Sequence, residues 1–172
     1  KSDAEKNPKV VTNTIIVDFS DFNDFNVLVE STNPNELTDK IAESYKTRGF
    51  TALYDAIGKA FKMIPDEQDG VFINIFTDGQ ENNSKEFTQE TVKQLIAKGR
   101  ENKWAITFMG TTEADIQTAM SFGVSRGNTM QFTNDSSGVE AAMKGMSLSR
   151  GIYYTSTVSN TSIDVDNLMA NQ

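Results

Sequence analysis

From Phe50 onward, segments with the apolar spacing of helices alternate with short apolar runs of the kind that form buried strands. Apolar residues recur at intervals of three and four over 51–64, which gives a helix one apolar face. The runs 71–76 and 104–109 are almost entirely apolar, as strands covered on both faces usually are. Further helices are indicated over 88–101, 113–122 and 136–149, and a short strand over 128–133. This alternation predicts an α/β fold, doubly wound around a mostly parallel sheet.

The first part of the chain has a different pattern. β-branched residues indicate a strand over 10–19, and a turn-rich stretch separates it from a second strand over 25–29. Two strands joined by a few turn residues predict an antiparallel hairpin. A short helix is indicated over 36–41. From 155 to 172 the chain is rich in Ser, Thr, Asn and Asp, so we expect a polar tail of low order after a domain that spans residues 1–154.

Composition limits the possible functions. The 172 residues suit one domain, and 24 acidic against 16 basic side chains give a net charge of −8. That charge opposes nucleic-acid binding and suits divalent cations or basic partners, although it is also typical of a simply soluble surface. Neither cysteine nor histidine is present, which excludes disulfides, thiolate zinc sites and imidazole catalysis. No apolar stretch could span a membrane and no signal peptide is evident, so we expect a cytoplasmic protein with no membrane partner.

Two loops fall where the carboxyl ends of the predicted strands should lie, which is the edge at which α/β sheets bind ligands. One covers 48–56 and contains Thr51. The other follows the strand 71–76 and contains Asp78 and Gly79. A hydroxyl and a carboxylate are oxygen ligands that suit Mg²⁺. Taken alone, Thr51 could instead be a helix N-cap and Asp78 a turn-forming residue.

Together the loops resemble those of the von Willebrand factor A family, in which a Gly-x-Thr loop and a Thr-Asp-Gly loop supply two of the three parts of a metal-ion-dependent adhesion site. This chain carries Gly49-Phe-Thr51 and Thr77-Asp-Gly79, and its strand 104–109 ends in Phe-Met-Gly-Thr. The similarity extends over residues 10–154 and is closest to small single-domain bacterial and phage members. It implies a Rossmann-like sheet with one antiparallel edge strand.

The resemblance also implies roles for individual residues. Thr51 would ligate Mg²⁺ or Mn²⁺ through its hydroxyl, and Asp78 would ligate the ion directly or accept hydrogen bonds from metal-bound water. An Asp or Glu of a partner protein would complete the octahedron, so that metal and partner bind together. The rim of this partner-binding face would consist of Gly49, Phe50, Gly79, Glu81 and Asn82. Glu81 and Asn82 are equally compatible with ordinary solvated loop positions.

The family's first motif, Asp-x-Ser-x-Ser at the end of its first strand, has one candidate here, Asp18-Phe-Ser20-Asp-Phe22. Phe22 stands where a hydroxyl is needed, and a strand rather than a long helix follows. In the better alignment, 10–19 and 25–29 are the family's second and third strands, and we expect the first strand, with the motif, upstream of Lys1. Because that strand is normally central, its absence should split the sheet and leave two rows of backbone groups unpaired.

Three functions are compatible with these patterns. The first is a metal-dependent protein-interaction module, with the metal conditional on the upstream motif. The second is a metal-free structural or regulatory protein that keeps the fold and has a degenerate site, which the missing motif favours. The third is a metal-assisted hydrolase that uses Asp78 and Glu81. Catalytic metal sites usually present more carboxylates than these two, so we expect no enzymatic activity.

Overall fold

The computed structural model describes residues 12–32 and 49–170. Its strands are β1 Thr14–Phe19, β2 Phe25–Ser31, β3 Phe72–Phe76, β4 Ala105–Gly110 and β5 Thr129–Gln131. Its helices are α1 Leu53–Lys62, α2 Gln89–Glu101, α3 Glu113–Ser121 and α4 Ser136–Val158, with a 3-10 turn at Arg126–Asn128. The helix predicted over 36–41 lies outside the described residues. No helix in the described ranges has the length and apolar content needed to cross a membrane.

Strands β3, β4 and β5 form a parallel sheet in that order. All six residues of the central strand β4 are buried, and its side chains alternate between the two faces of the sheet. Ile106 and Phe108 enter a core cluster with residues of α1, α2 and α3, whereas Ala105 and Met109 pack with residues of α4. Helices therefore cover both faces of this sheet, and the predicted burial of β4 on both sides is confirmed.

Strands β1 and β2 form the predicted antiparallel hairpin. The pairing runs from Thr14 opposite Ser31 to Phe19 opposite Phe25, with a bulge between Ile16 and Val17. The tight turn at its end is closed by backbone hydrogen bonds within residues 20–24. The apolar side chains of β1 are only partly buried.

The described strands thus form two sheets, one antiparallel pair and one parallel set of three. This arrangement confirms the predicted α/β class. A single doubly wound sheet is not formed by residues 12–32 and 49–170.

The carboxyl-terminal part differs from the low-order polar tail predicted from residue 155 onward. Helix α4 continues through Val158, and a short segment then returns to the parallel sheet, where Leu168 and Met169 are buried. The Leu168 N–H donates to the side-chain oxygen of Asn128 at 2.8 Å. Apolar residues scattered through this polar stretch pack against β4, and composition averaged over the stretch obscures them.

Candidate functional site

The two predicted site loops lie against each other. The Thr51 N–H donates to the side-chain oxygen of Asn82 at 3.0 Å, and the Asn82 N–H donates to the Thr51 carbonyl oxygen at 3.0 Å. Thr51 precedes α1, and Asn82 lies in the loop that follows β3. The two loops therefore contact each other at the carboxyl end of β3.

Gly79 lies close against the Thr51 side chain. A Cβ atom placed on Gly79 would lie 2.5 Å from the Thr51 hydroxyl oxygen, which is nearer than real Cβ contacts allow. The turn is held by Thr77, whose hydroxyl donates to the Gly79 carbonyl oxygen at 3.1 Å and accepts from the Gly79 N–H at 3.2 Å. Only glycine at this position leaves the Thr51 hydroxyl where it is.

Thr51 is not the N-cap of α1. The capping position belongs to Ala52, and no side chain makes a capping hydrogen bond there. The two helices that follow are instead capped by threonines, Thr88 and Thr112, in reciprocal capping boxes. The N-cap explanation of Thr51 was therefore wrong, and its hydroxyl has no capping role.

Asp78 and the expected rim residues face solvent to different degrees. Asp78 is exposed, and the side-chain amide of Asn134 donates to it over a long 3.5 Å. Gly49 and Phe50 are exposed, with 57% of the Phe50 surface accessible to solvent. Asn82 is also exposed. The exposed phenyl ring beside Thr51 is an apolar contact surface at the rim.

Glu81 differs from the other rim residues because its carboxylate accepts hydrogen bonds within the loop. One oxygen accepts from the N–H groups of Asn83 at 2.9 Å and Ser84 at 2.8 Å. The other accepts from the Ser84 hydroxyl at 2.7 Å and the Tyr54 N–H at 3.0 Å. Burial, and then the charge of Glu81, raise the pKa of the Tyr54 phenol. Glu81 therefore ties the loop after β3 to the first turn of α1.

A second carboxylate, Asp55, joins the same two segments and was not among the predicted site residues. It is 1% exposed and accepts the backbone N–H groups of Lys85, Glu86 and Phe87 at 2.8–2.9 Å. Its own N–H donates to the Ser84 hydroxyl at 3.1 Å. The available sequence signal was an acidic residue in a helix turn whose neighbouring side chains are apolar.

The turn of the β-hairpin also reaches this site. The Ala52 N–H donates to the Ser20 carbonyl oxygen at 2.6 Å, and Asp18 and Ser20 are both buried. The Ser20 hydroxyl donates to a carboxylate oxygen of Asp24 at 2.6 Å. Strand β2 follows this turn directly, as predicted, so no long helix follows Asp18 and Ser20.

A third loop follows β4 and carries the Phe-Met-Gly-Thr sequence. Buried Asp115 accepts the N–H groups of Thr111 at 3.1 Å and Thr112 at 2.8 Å through one oxygen. Its other oxygen is buried without a hydrogen-bond partner among the described residues. A Cβ atom on Gly110 would lie 2.6 Å from the Asp115 Cβ, so glycine allows this close packing.

The described residues offer a cation a small set of oxygen ligands. Within residues 12–32 and 49–170, no three His, Cys, Asp or Glu side chains converge as a metal-binding group. The Thr51 hydroxyl and the Asp78 carboxylate are of the oxygen type that Mg²⁺ and Mn²⁺ accept, with water in the remaining positions.

No family model matches the chain, and no curated protein or solved structure matches it.

Proposed function

We propose that this chain is a von Willebrand factor A-type module that binds a partner protein through a divalent cation at the Thr51 and Asp78 loops. The observation that carries the proposal is the reciprocal pair of hydrogen bonds between Thr51 and Asn82. With Gly79 against the Thr51 hydroxyl, these bonds fix the loop that bears a hydroxyl beside the loop that bears a carboxylate. In this proposal the two sheets are parts of one doubly wound, Rossmann-like sheet.

Each residue has a specific part in the proposed site. The Thr51 hydroxyl and the Asp78 carboxylate hold Mg²⁺ or Mn²⁺, and the ion supplies a positive centre for an acidic side chain of the partner. The net charge of −8 attracts cations to the module and repels an acidic partner in their absence. Exposed Phe50 offers the partner an apolar contact next to the ion.

The hydrogen-bonding state of Glu81 favours binding over catalysis. Both of its oxygens accept hydrogen bonds within the loop, so Glu81 is not positioned to act as a general base beside Asp78. A hydrolytic site at Asp78 would therefore have to activate water through the metal ion alone, without help from a neighbouring carboxylate base. We therefore propose a binding module without enzymatic activity.

Titration with Mn²⁺ tests the proposed ligands directly. Thr51→Val removes the hydroxyl and keeps the shape, and Asp78→Asn removes the charge. Each should weaken Mn²⁺ binding about tenfold or more, because either change removes an oxygen ligand. Asp66→Asn is the matched control: it removes one acidic charge from an exposed ion pair with Lys98, outside both loops. Equal Mn²⁺ affinities for the three variants, measured by calorimetry, would contradict the proposal.

A metal-free interaction or structural protein is the second candidate. It is favoured by the small number of oxygen ligands left for a cation near Thr51. The Glu81 carboxylate accepts hydrogen bonds within its own loop, and the Ser20 hydroxyl donates to Asp24. Titrations of the unmodified protein with Mg²⁺ and Mn²⁺ distinguish the two candidates. Absence of binding heat for both ions, with the protein folded, would favour this second function.

A further inference from the structure

Among the described residues, the Asp78 carboxylate has one hydrogen-bond partner, the side-chain amide of Asn134. The amide nitrogen lies 3.5 Å from one carboxylate oxygen, which is long for a hydrogen bond to a charged group. Asp78 follows β3 and Asn134 follows β5, and β4 lies between these two strands in the sheet. The two side chains therefore meet across the carboxyl end of β4.

Aromatic packing beneath the two side chains fixes their approach. The rings of Phe76 and Phe132 stack with their centroids 4.5 Å apart. Asp78 and Asn134 each follow one of these phenylalanines by two residues. The Phe132 N–H also donates to the Gly110 carbonyl oxygen at 3.0 Å, which joins the loop after β5 to the end of β4. Asn134 is thus held close to Asp78 by its neighbours in the chain, although its own side chain is exposed.

The chain after Asn134 is also held in place. Asp135 caps α4, and its carboxylate accepts the Gly138 N–H at 2.8 Å. A Cβ atom on Gly138 would collide with the Thr133 carbonyl oxygen, so the first turn of α4 packs tightly against the residue before Asn134. With its backbone held on both sides, Asn134 keeps the rotation of its side-chain amide.

The separation of the two side chains suits two ligands of one octahedral cation. Mg²⁺ binds oxygens at about 2.0–2.1 Å, so two neighbouring oxygens of its octahedron lie about 3 Å apart. The terminal atoms of Asn134 and Asp78, 3.5 Å apart, stand close to that spacing. An asparagine amide carries an oxygen as well as a nitrogen, and rotation about its last bond exchanges their positions. Carbonyl oxygens suit Mg²⁺ and Mn²⁺, as carboxylates do.

We propose that Asn134 is a third protein ligand of the cation and binds it through the side-chain carbonyl oxygen, beside Asp78. This inference rests on the proposed function, because it concerns the same ion. In the absence of the ion the amide nitrogen faces the carboxylate, and in its presence the amide oxygen faces the ion. Asn134 lies outside the two loops that carry the family resemblance. The chain thereby supplies an oxygen ligand that does not depend on the family's first motif.

Two substitutions distinguish a ligand from a residue that only positions Asp78. Asn134→Ala removes the oxygen and should weaken Mn²⁺ binding about tenfold. Asn134→Asp keeps an oxygen at this place and adds a negative charge, so it should tighten Mn²⁺ binding about tenfold. If Asn134 only donated a hydrogen bond to Asp78, both variants would lose the donor and both would bind Mn²⁺ more weakly. Calorimetric titration of the full chain measures the affinities.

Gln80→Glu is the matched control, because it makes the same change from amide to carboxylate in the loop that contains Asp78. The Gln80 side chain is exposed and has no hydrogen bond to a described residue. The added charge alone should tighten Mn²⁺ binding less than about threefold. Tightening by Gln80→Glu as large as that by Asn134→Asp would overturn the inference, since charge alone would then explain both.

Carbon-13 NMR of the unmodified protein observes the amide itself. The Asn134 Cγ signal should shift on addition of Mg²⁺, because coordination through the carbonyl oxygen polarises this carbon. Unchanged Mn²⁺ affinity in Asn134→Ala, weaker binding in both Asn134 variants, or a Cγ signal that Mg²⁺ leaves in place would overturn this inference while the cation site at Thr51 and Asp78 stands. An unmodified protein that binds neither ion would overturn the proposed function and this inference together.

Discussion

Thr51 and Asn82 exchange two hydrogen bonds of 3.0 Å, one from each backbone N–H, and so join the loop before α1 to the loop after β3. The Asn82 side chain provides one of the two acceptors. Its removal leaves the Thr51 N–H to find water or remain unpaired, and the positions of the two loops become less well defined. These two hydrogen bonds therefore contribute to the stability of the fold. In the proposed function, they also fix the geometry of the cation site.

Asn82→Ala should lower the free energy of unfolding by about 1 kcal/mol, the usual contribution of one such hydrogen bond. Mn²⁺ affinity should fall several-fold because the Thr51 hydroxyl is less firmly placed. Urea unfolding and calorimetric titration measure the two effects. Asn83→Ala is the control, since no hydrogen bond of its side chain to a described residue is present. Equal losses in the two variants would show that the Thr51 contact has no special role.

Much of the fold could be predicted because apolar patterning is a local signal. The runs that became β3 and β4 are short, apolar and followed by turn residues, and the helices between them have apolar residues at helical spacing. The Asp78 loop directly follows a parallel strand, so its position at the carboxyl edge of the sheet, where α/β sheets bind ligands, could be predicted from the strand pattern. These features need no knowledge of contacts between distant residues.

The features that could not be predicted depend on such contacts. Asp55 binds backbone groups about 30 positions away, and its apolar neighbours in the helix do not indicate which groups those are. The family resemblance implies a rim position for Glu81, and a local pattern does not show that its oxygens accept four hydrogen bonds within the loop and from Tyr54. Leu168 and Met169 are buried although they lie in a polar stretch. The Leu168 N–H donates to the Asn128 side chain, and both apolar side chains pack against the sheet.

Asp55→Ala should be one of the most destabilising single substitutions in the described chain. It leaves the N–H groups of Lys85, Glu86 and Phe87 without their acceptor, and the carboxylate it removes is buried. Loss of these charge-assisted bonds should cost about 3 kcal/mol or more. Asp66→Ala, which removes an exposed partner of Lys98, should cost less than about 1 kcal/mol. Urea denaturation compares them, and similar costs would contradict the structural role of Asp55.

Asp135 should make the stability of the fold depend measurably on pH in the acid range, through its cap on helix α4. Its side chain caps the helix, accepting from the Ser137 hydroxyl at 2.6 Å and the Gly138 N–H at 2.8 Å, and these bonds lower its pKa from 3.8 to about 2. Because the folded pKa lies below the unfolded one, the ionised cap stabilises the fold fully above the unfolded pKa. This contribution is lost as the pH falls from about 4 to about 2.

The neutral variant Asp135→Asn separates the charge from the cap, because asparagine caps helices about as well as aspartate. Many other carboxylates titrate in the same range, so the informative quantity is the difference between the two proteins. The parent should lose more thermal stability than the variant between about pH 4 and pH 2. Circular dichroism melting curves measure this difference, and parallel curves for the two proteins would contradict it.

Substitution of Gly79 tests the geometry of the candidate site most directly. Gly79→Ala places a methyl group against the Thr51 hydroxyl, so either the hydroxyl rotates away or the two loops separate. We expect a loss of stability of about 1–3 kcal/mol from this overpacking and a fall in Mn²⁺ affinity of about tenfold. Gly151→Ala in α4 is the matched control: a Cβ there meets nothing within 4 Å, and alanine should stabilise the helix by up to about 1 kcal/mol.

Combining Gly79→Ala with Thr51→Ala tests whether the two side chains act on one another. Removal of the hydroxyl makes room for the new methyl group, so the double variant should be more stable than the sum of the single effects predicts. Mn²⁺ binding should remain weak in the double variant, because the ligating oxygen is absent. Additive stability losses would mean that the methyl group of Ala at position 79 does not press on Thr51. Recovery of Mn²⁺ affinity together with stability would show that the Thr51 hydroxyl is not a ligand.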